Sequence, residues 1–192
     1  MISDSPILFI GIDVGISRDT AARVAVYWHN DCLVVWGHKI ITPTTDQRVN
    51  IARQITNPTI ELLRTQRVAG IWFDPYQFIG ETQRIADMGY ARFLHEVNQQ
   101  TENPAFANAL ETMVNNGTLI MYPDAECRAH MLWTTAKNTE RGRRIVKAKQ
   151  TKPIDYTVAL AMAVYGAVSE TGMSQHPGFV NAVHTREMEA VP

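Results

Sequence analysis

Three aspartates, each at the edge of an apolar segment, constrain this chain more than any other feature: Asp13 in ILFIGIDVG, Asp74 in VAGIWFDPY and Asp155 in KPIDYTVALAMAVYGA. A carboxylate at the end of a buried strand is costly unless it is paired, hydrogen-bonded or bound to a cation. Each has a plain reading alone: Asp13 as a turn former, Asp74 as part of an Asp-Pro turn, Asp155 as a helix N-terminal residue favoured by the dipole. Together, in one small chain, they are read as one metal site.

The segments between them predict how such a site is built. Residues 7–14 form a short apolar run, and AARVAVYWHN and CLVVWGHKII, rich in valine, isoleucine and aromatics, are separated by the polar break His29-Asn30-Asp31. Three successive antiparallel strands are expected. Helical spacing of Ile51, Ile55, Ile60 and Leu62 predicts a helix from Thr44 to about Gln66, capped by Thr44 or Thr45 and broken or kinked at Pro58. Val68 to Phe73 reads as a buried strand ending at Asp74-Pro75, where proline takes the chain out of the sheet.

Beyond it the pattern alternates: a helix over 78–88 closing at Gly89, a strand over 91–97, a helix opening at Asn103-Pro104 and closing at Gly117, and a strand over 118–122. A helix from Pro123-Asp124 to about Trp133, a basic hairpin over 136–152 and a last helix over 153–169 complete the order. This predicts an α/β domain with a mixed central sheet, three antiparallel strands followed by parallel strands, covered by helices on both faces. It is the order of the ribonuclease H-like fold. At 192 residues the chain suits one domain, assigned to 1–170, with 171–192 a C-terminal tail of no sustained period that is expected to be loosely ordered.

Hydrolysis of a phosphodiester needs a water made nucleophilic at neutral pH and a stabilised departing oxygen, which two divalent cations about 3.5–4 Å apart supply together. Mg2+ or Mn2+ takes oxygen ligands, so carboxylates from separate elements suffice. Asp13 is the expected bridging ligand, Asp74 binds from a neighbouring strand end, and Asp155 closes the site from the side. The small residues Ala159, Ala161, Ala163, Gly166 and Ala167 let the last helix lie close to the sheet. Asp19 is a candidate fourth ligand, or it fixes the turn with Thr20.

The formal net charge is -1, but Arg141, Arg143, Arg144, Lys147, Lys149 and Lys152 fall in one stretch with no carboxylate among them. A charge run is usually a solvated face. Directly before Asp155, however, these cations suit the phosphate backbone of DNA, bound without reading its sequence. Cys32 and Cys127 stand in no CxxC or metal-ligand spacing and read as inert thiols, and the six histidines as ordinary core or surface residues. With an acidic residue near the N-terminus and no apolar run of about 18 residues, the chain is expected to be soluble and intracellular.

These residues resemble the C-terminal nuclease domain of the large terminase subunit of tailed bacteriophages over roughly residues 7–170. GIDVGISRDTAA looks like its first strand and turn, IWFDPYQF like its second acidic motif, and RRIVKAKQTKPIDYTVALAMA like its hairpin, lysine segment and terminal helix. The resemblance implies a metal-dependent endonuclease that cuts concatemeric double-stranded viral DNA during packaging in the host cytoplasm. It further implies Asp13, Asp74 and Asp155 as ligands of two cations, and an ATPase motor domain, a small terminase subunit and a portal as partners, with no membrane. The family's ATPase is not represented: no GxxxxGKS/T phosphate loop occurs. Other readings are a resolvase or transposase of the same fold, an actin or sugar-kinase-like ATP-binding domain suggested by GIDVGISRDTAA, and a DNA-binding module without catalysis.

Overall fold

Alternation of apolar side chains lays down the central sheet, in a computed structural model that describes residues 5–15, 20–43 and 50–170. Strands β1 (Ile7–Val14), β2 (Ala21–His29) and β3 (Cys32–Ile41) run antiparallel. The β2–β3 turn is the two-residue Asn30-Asp31, with Asn30 at φ 52°, a left-handed conformation that asparagine tolerates. Strand β4 (Arg67–Phe73) lies parallel to β1 on its other side, β5 (Leu94–Glu96) parallel to β4, and β6 (Leu119–Ile120) parallel to β3. The order β5-β4-β1-β2-β3-β6 makes β1 an interior strand, apolar on both faces.

One face, carrying Phe9, Val24, Val26, Leu33, Val35 and Trp72, packs against α3 (Asn103–Asn115) and α5 (Asp155–Glu170). The other, carrying Ile10, Ile12, Ala25, Ile71 and Phe73, is covered by α1 (Asn57–Thr65) and α2 (Pro75–Ile85). Helix α5 is apolar all round, and 13 of its 16 residues are buried, so it lies inside the molecule rather than on it. Its approach to β1 is closer than side chains allow. A Cβ on Gly11 would stand 1.9 Å from the Ala159 carbonyl oxygen, and one on Gly166 would meet the Trp72 ring at 2.3 Å.

Several boundaries differ from the sequence reading for physical reasons. Pro58 does not break its helix; it falls in the first turn of α1, where its missing N–H costs nothing, directly after a wider π-helical turn over Ala52–Thr56. Gly89 does turn the chain, at φ 87°, but residues 91–93 then form a 3₁₀ turn, which shortens β5 to three residues. Strand β6 shrinks to two residues because β3 offers it only Leu33 and Val34 as partners. The proposed caps Thr44 and Thr45, and the tail 171–192, lie outside the described residues.

The basic hairpin is present as a separate two-stranded sheet, β7 (Thr134–Thr139) and β8 (Gly142–Lys147), following α4 (Ala125–Leu132). It is tied to α3 by Asn103, whose Oδ1 accepts the Ile145 N–H at 2.7 Å and whose Nδ2 donates to the Ile145 carbonyl at 3.4 Å. That clamp fixes β8 beside the first turn of α3.

Candidate active site

Strand register places the first two aspartates side by side. In the parallel β1–β4 pair Ile12 stands opposite Phe73, so the next positions, Asp13 in β1 and Asp74 just past the end of β4, follow at neighbouring strand ends. By the two-residue alternation both belong to the face of Phe9, Gly11 and Trp72, which is the face that α5 covers.

The third aspartate arrives through the helix. Gly11 lies against α5 at Ala159 and Ala163, and Asp13, further along the strand, feels the charge of Asp155 at the start of the helix, so α5 runs antiparallel to β1. Two residues further along the strand is Asp13, roughly 6.6 Å on; four residues back along the helix is Asp155, roughly 6 Å on in the same direction. The close packing that glycine permits therefore carries Asp155 to Asp13. The first turn of α5 is held by buried His130, whose Nδ1 accepts the Tyr156 N–H at 3.2 Å. Burial pushes the pKa of His130 down to about 4, which keeps it a neutral acceptor.

The electrostatics follow from this convergence. Burial pushes the Asp13 carboxyl up to about 8, and the charges of Asp155 and then Asp74 push in the same direction. Two groups oppose them: Gln99, whose Nε2 donates to Asp13 Oδ1 at 2.9 Å, and the ammonium of Lys147. Asp74 Oδ1 accepts the Tyr76 N–H at 2.9 Å, so one carboxylate oxygen caps α2 and the other is not engaged in that cap. Asp-Pro here is the start of a helix, with Asp74 as its N-cap, and that role is compatible with a place in the cluster. Asp155 is buried at the first position of α5. The three carboxylates are not drawn into one tight knot: among the described residues, the trio of candidate ligands whose atoms all lie within 4.8 Å of one another is His38, Asp124 and Cys127. Asp19 lies outside the described residues.

The six cations divide by what they touch. Arg143 pairs with Glu111 of α3, Arg144 Nη2 donates to the Gln99 carbonyl at 2.9 Å, and Lys152 lies over the Trp133 ring at 4.7 Å. Lys147 is half-buried at the end of β8 and acts on Asp13, while Arg141 and Lys149 are exposed. The hairpin therefore contributes one cation to the acidic cluster and two to solvent. Gln99 was not legible in the sequence. It sits in a loop whose shape is set by Asn98, with Oδ1 accepting the Gln100 N–H at 2.8 Å and the Asn98 N–H bound to Glu102 at 2.7 Å. Its neighbours in HEVNQQTENP show only that a polar turn follows a strand end.

Solved structures of similar fold are large terminases and terminase nucleases of bacteriophages. The large terminase of bacteriophage HK97 matches with a TM-score of 0.68 at 18% identity, over 83% of this chain and 39% of that one. The large terminase nuclease of thermophilic phage G20c matches at 0.66 and 12% identity, over 84% of this chain and 82% of that one. The same nuclease with bound magnesium matches at 0.65 and 13% identity, over 84% and 82%. The chain thus has the ribonuclease H-like fold of the terminase nucleases and spans about two-fifths of the length of the HK97 protein. No protein-family model and no curated protein matches it.

Proposed function

We propose that the chain is a metal-dependent endodeoxyribonuclease of the terminase type, cutting double-stranded viral DNA concatemers during genome packaging. In this reading residues 1–170 are the nuclease domain and 171–192 a tail, and Asp13, Asp74 and Asp155 are the catalytic and metal-holding residues. One observation carries the proposal. Asp13 is a carboxylate that burial and two further carboxylates hold up near 8, an arrangement that a divalent cation relieves and that has little purpose without one. All three side chains offer oxygen, which suits Mg2+ or Mn2+ and matches the magnesium bound by the G20c nuclease.

When bound, two such cations supply an activated water and stabilise the departing oxygen. The protein's own groups do the rest. Asp13 and Asp74, rooted at neighbouring strand ends, and Asp155, rooted in a buried helix, give a set of carboxylates on firm elements that a cation would draw together. Gln99 turns Asp13 by occupying one of its oxygens. Lys147, already beside Asp13, is placed to offset phosphate charge. Exposed Arg141 and Lys149 are the cations of the hairpin left to meet the DNA backbone. An ATPase motor domain, a small terminase subunit and a portal are the proposed partners, and the host cytoplasm the proposed place of action. No helix of the described residues is long and apolar enough to cross a membrane.

Incubation of the chain with supercoiled plasmid tests the reading. Nicked and linear products are expected with Mg2+ or Mn2+, none with EDTA, and none from folded Asp13→Asn or Asp155→Asn. Cutting retained in those variants would remove the catalytic assignment. Strong preference for four-way junctions would favour a resolvase, and ATP hydrolysis would favour the kinase-like reading.

A further inference from the structure

A second cluster of ligand-type side chains lies on the α5 face of the sheet, two strands away from the three aspartates. Asp13 pairs with Ala22 and Ala22 with Ile40, so His38, two residues along β3, is displaced from Asp13 by two strand spacings, roughly 10 Å. Against His38 packs the start of α4. Its Nε2 stands 3.2 Å from Cys127 Sγ and 3.8 Å from Asp124 Oδ2, and the three ligand atoms all fall within 4.8 Å of one another.

We propose that His38, Asp124 and Cys127 form a metal site for Zn2+ or a similar borderline cation, independent of the acidic cluster. The distances are those of ligands around an ion. Zinc bonds of about 2.3 Å to sulfur and about 2.0–2.1 Å to nitrogen or oxygen, at tetrahedral angles, separate sulfur from nitrogen by roughly 3.6 Å and nitrogen from oxygen by roughly 3.3 Å. The structure's 3.2 Å and 3.8 Å fall within about half an ångström of both.

The partners behind these atoms fit the same role. His38 Nδ1 is hydrogen-bonded to the Tyr122 hydroxyl, the kind of outer contact that holds a ligating imidazole in one tautomer with Nε2 facing the ion. Asp124 Oδ1 accepts the backbone N–H groups of Glu126 and Cys127, both at 2.9 Å, which leaves Oδ2 turned to His38. An open cavity of about 520 Å³ lined by Tyr122, Asp124, Cys127 and Met131 adjoins the cluster, so a water can take a fourth position. A nucleophilic triad fits less well. In a triad the acid and the nucleophile bond opposite ring nitrogens, whereas here sulfur and carboxylate face the same one.

The chemistry also separates the two sites. A nitrogen, sulfur and oxygen set selects softer cations, and an all-oxygen set harder ones. Held there, an ion would fasten the start of α4 to β3 at the edge where β6 provides only two residues of pairing, and α4 leads directly into the hairpin.

Optical titration with Co2+ of the full chain, stripped with EDTA and desalted, tests the site. A thiolate-to-cobalt charge-transfer band should saturate at one equivalent and be displaced by Zn2+. It should persist in Asp13→Asn and Cys32→Ser, vanish in Cys127→Ser, and require about tenfold or more Co2+ in Asp124→Asn. Absence of the band in the wild-type chain, its survival in Cys127→Ser, or its loss in Cys32→Ser would overturn the proposal. If Cys127→Ser does not fold by circular dichroism, unchanged Co2+ affinity in both His38→Gln and Asp124→Asn overturns it, and weakened affinity in both supports it.

Discussion

Asp13 is where sequence, packing and chemistry meet. Its acid is held near 8 by burial and by Asp155 and Asp74, against an ordinary value of 3.8. A carboxyl whose folded pKa is raised binds more protons folded than unfolded. Its contribution to stability is full below about 3.8 and is lost as pH rises through about 8. Buried His130 works in the opposite sense, its contribution being present above 6.5 and lost as pH falls towards 4. Between pH 7 and 9 the Asp13 effect therefore acts without that of His130. Thermal melts of the metal-free chain should show the midpoint falling over this range, with Mg2+ or Mn2+ restoring it and Asp13→Asn flattening the slope. A midpoint unchanged by pH and metal would contradict the raised pKa of Asp13. The same substitution should cost several kcal/mol of transition-state stabilisation, ~10²–10³-fold or more in cleavage rate.

Lys147 and Lys149 separate two roles that a charge run conceals. Lys147→Met should lower kcat on the order of 10²-fold with little change in DNA affinity, because that ammonium acts on Asp13. Lys149→Ala should weaken DNA binding and reduce its salt slope by about 1 while leaving kcat intact. Binding isotherms at several salt concentrations beside single-turnover cleavage distinguish the two; equal effects of both variants would show that the hairpin acts only as a charged strip. The aspartates could be read from the sequence because a carboxylate at the end of an apolar run is conspicuous. Gln99 could not, since a polar residue in a polar loop carries no signal until the fold brings it to Asp13. Nor could the pairing of His38 with Cys127, 89 positions apart on different elements.

At the scale of elements, the site is a consequence of how closely α5 lies on β1. Gly11 has no room for a methyl group, its Cβ position being 1.9 Å from a carbonyl of α5 that cannot yield without moving the helix. Gly11→Ala should destabilise by about 3 kcal/mol or more, measured by urea unfolding, and should abolish cutting even where the chain still folds. A change under about 1 kcal/mol would mean that helix and strand separate easily. Small residues along the last helix announced this contact, and apolar runs rich in valine, isoleucine and aromatics, bounded by the polar break at His29-Asn30-Asp31 and by Asp74-Pro75, announced the three antiparallel strands and β4. Strands β5 and β6 came out shorter than expected because their lengths depend on what partner is available at the edge, which local composition does not record. Pro58 looked like a break because proline costs most inside a helix; its position in a first turn was set by the π turn before it.

For the whole molecule, the topology sets the candidate ligands along one end and one face of a single sheet: Asp13 and Asp74 at adjacent strand ends, Asp155 above them, and the hairpin clamped to α3 by Asn103. Net charge says nothing of this, since a chain at -1 still carries six of its 18 lysines and arginines between positions 141 and 152. The most direct test of the central claim is a crystal structure of the chain grown or soaked with Mn2+, with the ions located by their anomalous scattering. The account predicts Mn2+ between the carboxylates of Asp13, Asp74 and Asp155, and its absence there in Asp13→Asn crystals. Manganese bound only elsewhere, at concentrations that support cleavage, would contradict it.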